Sequence, residues 1–296
     1  MTLIVHTQAR NAEKVLEIGC GPGLHSLTLI QSMMKNKSTL IATDYCPKML
    51  QLVEKTVKEK SHFKEVQISN KKNENLKDQY LNQQKNTKHM QNLNPESTQD
   101  FNSNNQDTTD FSNNVEFHDE TFDKKLILQL QDAQNLTISS QSIDVYLANL
   151  SLMLVDDPLK QIKECYRVLK PRGQAGFTVW GRKCNSPVFN IFEEALNQVL
   201  FPENSTKPAS MSQEKHQMIH LFTKEFEFGH SIDKIEQLFL EGGFTDIQMW
   251  YQTQNYVFED SDDYWNFISK LQRQKEYIEK LDNYQKYQLQ SILKKC

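Results

Sequence analysis

The chain has 296 residues, a formal net charge of −4 and a pI near 6.1. That balance gives no general attraction to polyphosphate and argues against a protein that coats nucleic acid. Hydrophobic residues make up 38%, below the usual ~45–50%, and no apolar run approaches the ~20 residues that a membrane span needs.

Residues 1–13 hold His6 and Arg10 but no apolar h-region, so no secretory signal is expected. A core strand starting near Lys14 leaves a presequence little room. The five cysteines, at 20, 46, 165, 184 and 296, form no C-x-x-C pair. Neither a zinc cage nor a disulfide framework is expected, and the chain reads as intracellular. A cytoplasmic location follows, with a mitochondrial one left open.

Lys14–Ile18 (KVLEI) is a short apolar run ending in glycines, the pattern of a buried parallel strand. Residues 24–34 carry Leu24, Leu27, Ile30 and Met34 at helical spacing. A second strand spans 39–43 and is ended by Asp44. Pro47–Lys60 reads as a helix with Pro47 in its first turn. In residues 70–114, 18 of 45 are Asn or Gln, without an apolar period. This composition predicts a disordered, dispensable insertion. Strands follow at 126–130 and 143–147. A helix is predicted over 157–169, with Asp157 as N-cap and Pro158 behind it. A turn at 171–173 leads into a strand at 175–180. Strands alternating with helices imply crossovers and an open parallel sheet, with ligands at the carboxyl ends of the strands.

Glu17-Ile18-Gly19-Cys20-Gly21-Pro22-Gly23 lies between the first strand and a helix. Glycines there permit positive φ and close approach of a ligand. The tight G-x-G-x-G form, with an acid two residues before it, departs from the dinucleotide fingerprint, and Pro22 removes an amide. A zwitterionic amino-acid moiety suits this loop better, its ammonium on the acid and its carboxylate on the amides. Asp44 stands 25 residues after Gly19, near the ~20 expected of a ribose-binding acid. Asp132-Ala133 ends the third strand, placed for an adenine amino group, and Asn149 ends the fourth.

Glu17–Gly23, Asp44, Asp132-Ala133, the run 143–157 and Arg167-Val168-Leu169-Lys170-Pro171-Arg172-Gly173 resemble class I S-adenosylmethionine-dependent methyltransferases. The similarity is greatest to the small-molecule type related to ubiquinone- and menaquinone-biosynthesis enzymes. It covers about residues 13–180 apart from the insertion, and more weakly 228–258. It implies a Rossmann-like, doubly wound α/β fold with a mostly parallel, seven-stranded-type sheet, a helical cap and C-terminal helices. The expected domains are 1–69 with 115–258, including a cap at 186–228, followed by a helical extension at 259–296. With S-adenosylmethionine as cofactor, the resemblance places Glu17, Gly19, Cys20, Gly21 and Gly23 around the methionine part. It puts Asp44 on the ribose, Tyr45 near the adenine and Asp132 and Ala133 at the adenine edge. Asn149 and Ser151 fall beside the methyl group. No metal is expected; Asp157 of the Asp156-Asp157 pair is better explained as a cap. His25 reads as a packing residue or a catalyst, and Cys20 and Cys46 as small core thiols.

Base-modifying relatives carry an Asn/Asp-Pro-Pro-aromatic turn after the fourth strand. Here it reads Asn149-Leu150-Ser151-Leu152, which speaks against a nucleic-acid acceptor and for a small molecule. Relatives also carry a helical segment before the first strand, and here about 13 residues precede it. A lid supplied by 186–228, with Phe189, Phe192, Phe201 and Phe222, an incomplete start, or lost catalysis would each account for this. Trp265, Ile268, Leu271, Ile278, Leu281, Ile292 and Leu293 recur at near-helical spacing, for packing or for a protein partner or homodimer contact. Two functions remain open: methyl transfer, or a silent methyltransferase-fold subunit of a larger assembly.

Overall fold

The computed structural model describes residues 2–66, 115–201, 226 and 228–295. The predicted insertion at 70–114 lies outside the described residues, as do 202–225 of the predicted cap, including Phe222. The chain divides into two compact units, Met1–Thr178 with Leu238–Phe244, and Val179–Gln237 with Thr245–Cys296.

The first unit is built on a seven-stranded sheet in the order β3-β4-β5-β2-β1-β6-β7. The strands are β1 Lys14–Ile18, β2 Thr39–Asp44, β3 Lys64–Val66, β4 Val115–Asp119, β5 Lys124–Leu130, β6 Ile143–Asn149 and β7 Leu169–Thr178. β5, β2, β1, β6 and β7 are mutually parallel, while β3 and β4 pair antiparallel at one edge. The chain winds outward from β1 through β2 to β5, then returns to β6 on the other side of β1. Strand order therefore reverses between β1 and β6, where such sheets open a crevice for ligands. The period of two sends Val15, Leu40, Ala42, Leu126, Leu128, Val145 and Leu147 into one core. Leu16, Ile18, Ile41, Tyr146 and Ala148 enter the core on the other face. Both faces are covered, which is why the central strands read as unbroken apolar runs.

Ile4 and Ala9 belong to the first of these cores, so the residues ahead of β1 are part of the fold. The helix expected over 24–34 is an α-helix at Leu24–Thr28 that widens into a π-helical turn at Leu29–Met33. Met34 N closes that turn on Leu29 O at 2.9 Å. Leu24 does not join the apolar face: it is 80% exposed, because it leaves the glycine loop at the end of β1 before the helix lies over the sheet. The helix Pro158–Val168 begins as predicted, with Asp157 accepting from Lys160 N. The predicted turn at 171–173 is instead an irregularity inside β7. Between the pairs Ile143↔Leu169 and Val145↔Gln174, four β7 residues stand against one β6 residue, with Arg172 at φ 69°. β7 then ends at Thr178 rather than at Trp180.

In the second unit the helices Pro187–Leu200, Ser261–Ile268, Gln272–Lys280 and Asn283–Leu293 share one core. Phe192, Leu196, Ile268, Leu281, Leu289 and Leu293 are buried in it. Asp260 and Asp282 cap the second and fourth of these helices, Asp282 through a reciprocal pair with Gln285. Phe192 is wholly buried and Phe189 packs edge-on to Trp180, so these two rings serve the unit's own core. Among the described residues, no helix is long and apolar enough to cross a membrane.

Candidate functional site

The residues singled out in the sequence lie in the first unit, at the carboxyl ends of β1, β2, β5 and β6. After Ile18 the chain turns through Gly19, Gly21 and Gly23 at φ of 66°, 55° and 80°. These are left-handed conformations that a side chain would strain by about 1–2 kcal/mol each. Cys20 N donates to Thr43 O at 2.9 Å and ties the loop to β2. A Cβ on Gly19 would lie 2.8 Å from Ser151 Cβ, and one on Gly23 would lie 2.6 Å from Val53 Cγ2. Gly21 differs: nothing stands within 4 Å of where its Cβ would be. The middle of the loop is an open cradle.

Asp44 closes this cradle on the β2 side. Its Oδ2 accepts from Gly21 N and its Oδ1 from Cys46 N, each at 2.8 Å. Burial pushes its carboxyl above the ordinary range, against the pull of the Cys46, Gly21 and Tyr45 amides. The two carboxylate oxygens hold about four acceptor sites, and these three amides leave one for a further donor. Tyr45 follows and is 46% exposed. Burial also drives the Cys20 thiol far up, with Glu17 and Asp44 adding to it, which leaves it neutral.

Glu17 is 2% exposed, and its carboxylate turns to the first turn of helix Leu24–Thr28. Oε1 meets His25 Nδ1 at 2.7 Å and Oε2 accepts from Ser26 Oγ at 2.5 Å. Reading the sequence gave His25 and Ser26 no such role. The residues stand eight and nine positions from Glu17, a spacing that no local pattern marks.

Asp132 sits in a turn of its own making: its Oδ1 accepts from Gln134 N at 2.9 Å. Ala133 is partly buried against the core. The loop after it is pinned by Arg167, which donates to Leu136 O at 3.0 Å, Ile138 O at 2.8 Å and both Glu164 oxygens at 2.7 Å. Glu164 in turn accepts from Leu136 N at 2.7 Å. Arg167 thus fixes the segment that carries Asp132 and Ala133, a task invisible in its sequence block.

Asn149 Oδ1 accepts from Thr178 Oγ1 at 2.6 Å. Ser151 is 7% exposed, and its hydroxyl oxygen has no hydrogen-bond partner. The chain itself supplies no partner for this buried hydroxyl beside the glycine loop. The structure therefore brings Gly21 to Asp44 and Gly19 to Ser151, while Glu17, Asp132 and Asn149 are engaged by neighbours in their own surroundings.

Two family models, each described as a methyltransferase domain, match residues 15–87 and 79–177. Between them they run from β1 into the end of β7. No curated protein matches the chain. Solved structures that it resembles include the cyclase SpnF (14% identity, TM-score 0.34), with 60% of this chain and 42% of that one covered. The YcgJ protein of Bacillus subtilis gives 15% identity, 97% and 85% coverage and a TM-score of 0.45. A phosphoethanolamine N-methyltransferase of Haemonchus contortus gives 14%, 99% and 47%, and 0.44. The chain spans less than half the length of the first and third of these. Residues 15–177 thus match methyltransferase domains, for which the sequence resemblance implies S-adenosylmethionine as cofactor. The open cradle over Gly21, the spare acceptor site of Asp44 and the orphaned Ser151 hydroxyl fit that cofactor.

Proposed function

We propose that this protein transfers the methyl group of S-adenosylmethionine, held over Gly21, to a small and largely apolar acceptor. When bound, the cofactor supplies an already activated sulfonium methyl. The protein's part is then to hold and orient, with a base needed only for an acceptor that must lose a proton. Gly19, Cys20, Gly21 and Gly23 surround the methionine part. Glu17 holds the helix that follows the loop and keeps one acceptor site per oxygen for the ammonium. Asp44 takes a ribose hydroxyl, Tyr45 and Ala133 border the adenine, and Asp132 receives its amino group through Oδ2. Asn149 stands beside the methyl, and Ser151, against Gly19, faces the amino-acid end. The observation that carries this reading is the open space over Gly21 next to the Asp44 carboxylate.

Three apolar side chains support the acceptor class. Leu24, Tyr45 and Leu154, in the segments that follow β1, β2 and β6 of the same unit, are between 46% and 80% exposed. Exposed apolar groups gathered around a few polar ones are the usual lining of a small-molecule site. The net charge of −4 offers nucleic acid no attraction. One observation favours the silent subunit: every carboxylate oxygen of Glu17 and Asp44 already accepts a bond from the chain itself. The deciding experiment is labelled methyl transfer into fractionated cell extract. Label in the organic-soluble fraction supports a quinone-like or other apolar acceptor. Label in protein or nucleic acid alone, or none despite cofactor binding, contradicts it.

Asp44 also gives the site a pH signature. A carboxyl raised on folding stabilises the protein below its unfolded value of 3.8, and that stability is lost as pH rises through the folded value. At neutral pH the ionised group is thus a cost, retained for what it binds. It accepts a charge-assisted bond from a ribose hydroxyl only when ionised. Affinity for S-adenosylhomocysteine should be flat near neutrality and fall on acidification sooner than an exposed aspartate would dictate. Asp44→Asn should remove that bend. Titrations at a series of pH values check it, and a bend that persists in Asp44→Asn would contradict the assignment.

A further inference from the structure

Directly after β6, between Asn149 and Ser151, Leu150 adopts φ 53°. A leucine in the left-handed region is strained, and such strain persists only where the surroundings impose it. Here Thr178, the last residue of β7, imposes it. Leu150 N donates to Thr178 O and to Thr178 Oγ1, both at 3.0 Å, and Thr178 Oγ1 donates to Asn149 Oδ1 at 2.6 Å. The residue that emerges from this turn is Ser151, buried against Gly19 with its hydroxyl unpartnered. A buried hydroxyl without a partner costs about 1–3 kcal/mol. A strained turn that delivers such a group to a glycine loop has no packing advantage to explain it.

We propose that Thr178 is a positioning residue, which holds the strained turn so that the Ser151 hydroxyl hydrogen-bonds the amino-acid end of the cofactor. The inference rests on the reading of the loop given above. It places the bond at the amino-acid end because Ser151 touches Gly19, where that part of the ligand lies.

The test titrates the full chain with S-adenosylhomocysteine and with methylthioadenosine, which lacks the amino-acid end. Ser151→Ala and Thr178→Val should each weaken S-adenosylhomocysteine about tenfold and leave methylthioadenosine within about twofold. Thr178→Ser, which keeps the hydroxyl, should bind like the unmodified protein. Adding Thr178→Val to Ser151→Ala should cost little more, because one acts through the other. Unchanged S-adenosylhomocysteine affinity in Ser151→Ala overturns the proposal even if Thr178→Val fails to fold. Equal weakening of both ligands overturns it too. An unmodified protein that binds neither ligand removes the cofactor reading itself, whereas unmodified protein that binds both, with variants unaffected, removes this inference alone.

Discussion

Replacing Gly21 by valine should abolish cofactor binding and leave the protein folded. The added side chain would enter space where no protein atom lies within 4 Å of its Cβ. Its cost to the fold is therefore limited to a left-handed valine, about 1–2 kcal/mol. For a chain of this size that lowers the melting temperature by roughly 2–8 °C. The cost to binding is far larger, because the valine takes the volume assigned to the methionine part. A loss of roughly a hundredfold or more, about 2.8 kcal/mol, is expected. Thermal melting and a titration with S-adenosylhomocysteine read the two effects separately. Retained affinity would mean that the ligand does not lie over Gly21.

Gly23→Ala should do the reverse and damage the fold first. Its Cβ would come within 2.6 and 2.7 Å of the two Val53 methyls and 3.0 Å of Val53 Cβ, at a φ of 80°. Overpacking of this kind costs about 1–3 kcal/mol and the left-handed alanine about 1–2 more. The expected destabilisation is roughly 2–5 kcal/mol, read as a lower denaturant midpoint. Adding Val53→Ala should relieve the crowding share and restore part of the loss. A Gly23→Ala protein as stable as the original would show that the helix Pro47–Lys60 does not press on the loop. Two glycines two residues apart thus separate a ligand's space from the protein's own.

The contrast also shows which parts of the site the sequence makes legible. Glycines 19, 21 and 23 announce their positive φ because other residues adopt it at a cost, and the acid ending β2 follows from strand length. Asp157 and Pro158 mark a helix start for equally local reasons. What stayed hidden depends on groups distant in the chain. Thr178 reaches Asn149 across 29 positions, Arg167 reaches Leu136 across 31, and neither leaves a local pattern. The strands Lys64–Val66 and Val115–Asp119 are short and largely polar, without the apolar run that betrays β1. The π-helical turn at Leu29–Met33 keeps a spacing close enough to 3.6 to read as plain helix. The C-terminal helices were legible as helices. That their apolar faces meet Phe192 and Leu196 of Pro187–Leu200 is a tertiary fact that periodicity alone does not supply.

A cofactor held between the glycine loop and Asp44 underlies each of these expected effects on binding. Calorimetric titration of the whole chain with S-adenosylhomocysteine, beside Asp44→Ala, tests it most directly. Saturable binding at one site is expected. A loss of about tenfold or more is expected in Asp44→Ala, the worth of one charge-assisted hydrogen bond at roughly 1.5–3 kcal/mol. No heat of binding at millimolar ligand, or one dissociation constant shared by both proteins, would contradict it.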